Sequence, residues 1–176
     1  GWDSRYRAIV DLLERAAPRL TDWASGHLVQ EGESLIEAAT NRSLALDCSS
    51  LFIQGPPGTG KTFTSAHVIV ALLNAGKRVG VSSNSHKAIN NLLSKVEEVA
   101  GKEGVTFSGA KKVSRSDPDS YVNGSMIHDL DRANEILEGG YRLVGGTAWL
   151  FGMPEFDQHF DYLFIDEAGQ VSLGHL

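Results

Sequence analysis

The chain has 176 residues, room for one domain with a buried core, and its composition, 41% hydrophobic and 22% charged, is ordinary for a globular protein. A net charge of −6 excludes a protein whose whole surface is a phosphate-binding face. No apolar run nears the roughly 20 residues needed to cross a bilayer, which excludes a membrane-spanning helix. The single cysteine, Cys48, cannot form an internal disulfide and is read as a small core residue. A lone cysteine agrees with a reducing compartment, so the expected location is cytoplasmic, or nuclear in a eukaryote.

Ile9, Val10, Leu12 and Leu13 stand at helical spacing after Ser4, a candidate cap, and Pro18 ends that segment. Leu35, Ile36, Ala39 and Leu44 mark a second helix, and Leu51-Phe52-Ile53 reads as a short buried strand. A third helix runs from Lys61 through Ala66, Ile69 and Leu72 to a stop at Gly76, and Val79-Gly80-Val81 opens the next strand. The following helix opens near Ser85, buries Ile89, Leu92, Leu93 and Val96, and stops at Gly101.

Val105 to Val113 is expected to be a strand, and residues 114–124, rich in Ser, Asp, Pro and Asn, a mobile solvated loop. Within this stretch Lys111, Lys112 and Arg115 form the densest basic cluster and read as a solvated edge. A helix is expected from about Ile127 to Leu137, strands at Tyr141 to Val144 and Tyr162 to Ile165. Strands alternating with helices imply crossover connections. The expected fold is therefore α/β, a mostly parallel sheet with helices on both faces, preceded by short helices. Residues 1–46 form an N-terminal helical segment packed on the core, and 47–176 the sheet domain.

In such folds ligands bind beyond the carboxyl ends of the strands, and two motifs fall there. Gly55-Pro56-Pro57-Gly58-Thr59-Gly60-Lys61-Thr62 satisfies G-x-x-x-x-G-K-[ST] between a predicted strand and a predicted helix. Its glycines allow successive N–H groups to turn inward at a helix N-terminus, which makes an anion cradle. Lys61 would reach the terminal phosphates of ATP, and the Thr62 hydroxyl would ligate Mg²⁺. Tyr162-Leu163-Phe164-Ile165 ends in Asp166 and Glu167. Asp166 would hold the Mg²⁺, and Glu167 would orient and deprotonate the attacking water.

Four stretches resemble the superfamily 1 helicases, in the branch of the nonsense-mediated-decay helicase and the replication helicase-nucleases. They are Gly55 to Thr62, Ser85-His86-Lys87-Ala88-Ile89-Asn90-Asn91-Leu92, Val144-Gly145-Gly146-Thr147-Ala148 and Asp166-Glu167-Ala168-Gly169-Gln170. The resemblance implies a RecA-like P-loop NTPase domain, with Gln170 sensing the terminal phosphate or the attacking water. It further implies Ser85, His86 and Thr147 as contacts to the backbone of single-stranded DNA or RNA. Trp149 and Phe151 follow that site and read as core aromatics, with base stacking as the functional alternative.

The sequence departs from the pattern at Asn90, where many relatives have Asp, and at Ala148, where many have Cys. No Gln occupies the usual adenine-reading place, Gln30 lying farther upstream. The resemblance also implies a second motor domain that completes the ATPase and, in some relatives, a nuclease domain on the same chain. Without the second domain's arginines the present residues are expected to bind ATP and Mg²⁺ but to hydrolyse ATP poorly. The alternatives are an AAA-type ring ATPase, disfavoured by the wide gap between Lys61 and Asp166, and a non-catalytic nucleotide-responsive module.

Overall fold

The computed structural model describes residues 6–21, 26–56 and 58–167. The chain falls into two compact units, residues 1–64 and 65–176. In the first, helix α1 (Arg7–Glu14) ends on Arg15 in the left-handed conformation, and helix α2 (Leu35–Leu44) opens with a capping box between Ser34 and Glu37. Leu20 and Leu46 form an antiparallel bridge. Buried Asp11 is bound by the Arg19 guanidinium and accepts from Ser49 Oγ at 2.9 Å. The Arg19 bond holds the Asp11 carboxyl below the usual range. Helix α3 (Lys61–Asn74) starts at the end of this unit and continues into the second.

The second unit is built on five parallel strands in the order β3-β2-β4-β1-β5: β1 (Val79–Ser82), β2 (Gly109–Lys112), β3 (Ile127–Leu130), β4 (Leu143–Gly146) and β5 (Tyr162–Ile165). Helices α4 (His86–Glu103), α5 (Ala133–Glu138) and α6 (Ala148–Phe151) connect them. Neighbouring residues of a strand point to opposite faces, and β4 shows what covers each. A Cβ on Gly145 would lie 2.6 Å from Leu93 and 3.1 Å from Ile89 of α4, whereas one on Gly146 would lie 2.6 Å from Leu150 of α6. Helices therefore cover both faces of a parallel sheet, the RecA-like P-loop arrangement. On the α6 face Ala110, Ile136, Val144, Leu150 and Phe156 form a core cluster.

Several local expectations fail for identifiable reasons. Leu51-Phe52-Ile53 has no ladder partner among the described residues, and Phe52 is 66% exposed; an apolar run becomes a strand only where another strand pairs with it. Residues 127–130 are strand β3 and not the start of a helix, because they pair in register with β2, and only Ala133–Glu138 is helical. Helix α4 runs through Gly101 to Gly104, whose φ of 68° makes it the left-handed cap. Strand β2 is shorter than Val105 to Val113. Cys48 is exposed, on a left-handed backbone (φ 43°), and is not a core residue. The Ser4 cap lies outside the described residues, and the observed N-cap of α1 is Tyr6.

Residues 114–124 differ most from expectation. Ser114 and Asp117 form a bridge, Pro118–Ser120 make a 3-10 turn, and Ser120 is fully buried. Ser120 Oγ accepts from Ser114 N at 2.9 Å and donates to Asp117 O at 2.6 Å. Polar composition here satisfies the loop's own backbone, which is how small polar side chains organise turns.

Candidate nucleotide and nucleic-acid sites

Gly58 and Gly60 have φ of 80° and 83°, conformations glycine adopts without a Cβ penalty. Thr59 Oγ1 donates to Pro56 O at 2.7 Å and fills the space over Gly55, where a Cβ would lie 2.6 Å from that oxygen. Lys61 Nζ donates to Gly55 O at 2.6 Å and to Pro56 O at 2.9 Å. The carbonyls of Gly55 and Pro56 thus turn onto the ammonium, and the stretch leads directly into α3. Thr62 is exposed at the first turn of α3. Pro57 and Gln170 lie outside the described residues.

Asp166 and Glu167 end β5 in the second unit. Asp166 N donates to Ser82 O at 2.9 Å, which extends the pairing of β1 and β5, and Asp166 Oδ1 accepts from Glu167 N at 3.0 Å. Glu167 has φ 54° and is exposed. Its turn lifts one carboxylate clear of the strand while the other stays half-buried at its end.

The carboxyl edge of the sheet also gathers the expected nucleic-acid contacts. Ser85 caps α4, its Oγ accepting from Ala88 N at 3.1 Å, so the structural role read from sequence is filled; the hydroxyl keeps its hydrogen for donation. His86 and Thr147 line one cavity of about 360 Å³ together with Lys112, Ser114, Trp149 and Leu150. Trp149 is 79% exposed at this cavity and is not a core residue. Phe151 is half-buried and packs against the core cluster, edge-on to Phe160 at 5.4 Å.

Sequence reasoning missed Lys111. It reads as a solvated lysine but is fully buried, with Nζ donating to Lys112 O at 2.9 Å and Ser120 O at 3.2 Å and lying 2.9 Å from His86 Nδ1. Burial is the first cause that lowers its pKa to about 8. Gly145 stands opposite it on β4 and leaves room for its long side chain to cross, a pairing that the fold alone reveals. Of the remaining basic cluster, Lys112 lines the cavity and Arg115 pairs with Asp131 at the surface.

A family profile described as an AAA domain matches residues 30–120. The "DNA replication ATP-dependent helicase/nuclease DNA2" of Saccharomyces cerevisiae is 33% identical over 126 residues, 69% of this chain and 8% of that protein. The "ATP-dependent helicase NAM7" of the same organism is 40% identical over 79 residues, 44% of this chain and 8% of the relative. A "Regulator of nonsense transcripts 1 homolog" from Neurospora crassa is 35% identical over 107 residues, 58% of this chain and 9% of the relative. The chain therefore spans about a tenth or less of the length of these relatives. Its α/β fold, its phosphate loop and these matches together identify it: the chain belongs to the AAA-domain family, in the superfamily 1 helicase branch, of which it is the first motor domain.

Proposed function

We propose that this domain binds ATP and Mg²⁺ and grips single-stranded DNA or RNA, as the first half of a nucleic-acid-dependent ATPase. The observation that carries the nucleotide reading is the closed loop around Lys61, with left-handed Gly58 and Gly60 and no room for a side chain at Gly55. Gly55 to Thr62 would hold the phosphates, with Lys61 on the terminal ones. Thr62 and Asp166 would hold Mg²⁺, which supplies charge neutralisation on the transferring phosphoryl group. Glu167 would orient the attacking water and take its proton, and Gln170 would sense the terminal phosphate. The relevant functional division is a helical segment, 1–46, before a nucleotide-binding domain, 47–176.

The nucleic-acid reading is supported by the cavity at which His86 and Thr147 meet beside the Ser85 cap. Backbone contacts of this kind position a strand without reading its sequence. Completing the ATPase requires a second motor domain of the parent protein, whose arginines neutralise the transition state. A nuclease domain in that parent and a cytosolic or nuclear location belong to the same reading; among the described residues no helix is long and apolar enough to cross a membrane.

The test is a titration of fluorescent ATP with and without Mg²⁺ on the chain and on Lys61→Ala, followed by turnover with and without single-stranded nucleic acid. Mg²⁺-dependent binding that Lys61→Ala abolishes, with negligible turnover, is the expected result. No binding by the folded chain would overturn the nucleotide site, and robust turnover without nucleic acid would favour a ring ATPase.

A further inference from the structure

The nitrogen of Lys111 has three hydrogens and no acceptor capacity. All three are engaged, by His86 Nδ1, Lys112 O and Ser120 O at 2.9, 2.9 and 3.2 Å. His86 Nδ1 must therefore be the acceptor, and a neutral imidazole that accepts at Nδ1 carries its hydrogen on Nε2. Because Nδ1 is turned to Lys111 and the ring lines the cavity, Nε2 is the nitrogen left to serve a ligand there.

We propose that Lys111 is a positioning residue for the nucleic-acid site: it fixes His86 as the neutral Nε2–H tautomer, so that the ring offers one hydrogen-bond donor to a phosphodiester oxygen in the cavity lined by Thr147 and Trp149. This rests on the reading of that cavity as a nucleic-acid site. The same ammonium ties the loop at Ser120 to β2, and Asn90 of α4 donates to Asp119 O and Tyr121 O at 2.9 and 3.0 Å. The ring is thereby held between α4, β2 and the 114–121 loop.

The charges around the pair agree. His86 faces Lys111, Lys112 and Asp117; burial and then the Lys111 charge press its pKa below the usual imidazole value. Lys111 faces Asp129 of β3 together with Lys112 and Asp117, and the two aspartates oppose the effect of burial on it. At neutral pH the lysine is charged and the histidine neutral. Phosphodiester binding at His86 then does not strengthen by histidine protonation as pH falls from 7 to 6. It weakens as pH rises through about 8, where a neutral amine has two hydrogens for three acceptors.

Long-range ¹H–¹⁵N correlation spectra of the histidine rings in the 176-residue chain test this, with His86 assigned by comparison with His86→Asn. The expected spectrum at pH 7 shows Nε2 protonated and Nδ1 bare, no imidazolium at the ordinary histidine pKa, and a shift of Nδ1 as pH passes about 8. A tautomer mixture, an Nδ1–H ring or an ordinary titration would overturn the proposal. In Lys111→Met, judged folded by its circular dichroism, the tautomers should mix and affinity for a labelled oligothymidylate should fall roughly fivefold to tenfold, the value of one hydrogen bond. Should that variant not fold, the wild-type titration decides. His86→Ala separates the two ideas: unchanged oligonucleotide affinity would sink the site reading while leaving the tautomer result standing.

Discussion

Lys61 Nζ donates to the carbonyl of Gly55 at 2.6 Å, within its own phosphate loop. A triphosphate must take over this ammonium, exchanging two carbonyl acceptors for charged oxygens, and charge-assisted bonds are the stronger. Lys61→Ala should therefore lower ATP affinity at least about tenfold, since bonds to charged groups contribute roughly 1.5–3 kcal/mol. Gly55→Ala should also weaken binding, because its Cβ would meet Thr59 Oγ1 at 2.6 Å and displace the hydroxyl that folds the loop. Calorimetric titration with ATP·Mg²⁺ measures both; undiminished affinity in Gly55→Ala would mean that the loop tolerates opening.

Asn90 holds the 114–121 loop against α4. Its Nδ2 donates to two carbonyls, Asp119 O and Tyr121 O, a task an acceptor-only carboxylate cannot perform. Asn90→Asp sets a charge against both carbonyls and should destabilise the chain by roughly 1–3 kcal/mol. Thermal unfolding followed by circular dichroism should show a drop of several degrees, and an unchanged melting temperature would show that the loop carries no stability through this residue.

The sheet's central strands were legible because Val79 to Val81 and Leu143 to Val144 are apolar runs with helices on either side, and buried parallel strands are written that way. Ile127-His128-Asp129-Leu130 carries no such run. Its two apolar residues stand three apart, a helical spacing, and only pairing with β2 makes the segment a strand. The phosphate loop was legible because its glycines are required by backbone geometry. The Lys111 and His86 pair was not, since its residues lie 25 positions apart and the glycine that makes room for Lys111, Gly145, becomes its neighbour only through the pairing of β2 with β4.

Lys111 also predicts how stability depends on pH. Its folded value of about 8 lies below the ordinary 10.5, so between these the unfolded chain binds more protons and stability rises with pH. The cost of burying the charge is present below about pH 8 and is relieved as pH climbs towards 10.5, a change of roughly 3 kcal/mol at most. Urea unfolding at pH 7.5 and 10 should show wild type gaining relative to Lys111→Met. Parallel profiles for the two proteins would mean that Lys111 keeps an ordinary pKa.

Trp149 supplies the most direct optical report on the proposed nucleic-acid site. It is 79% exposed at the cavity of His86 and Thr147, and a base stacked on such a ring contributes roughly 1–3 kcal/mol. With Trp2 and Trp23 replaced by Phe, the one remaining indole should be quenched on adding a single-stranded oligonucleotide, and Trp149→Ala should weaken binding about tenfold. Binding should fall as salt rises, because backbone contacts release counterions, whereas stacking on Trp149 should be less sensitive. Tight binding with no change in indole emission would place the strand elsewhere on the carboxyl edge and leave Trp149 for a protein partner.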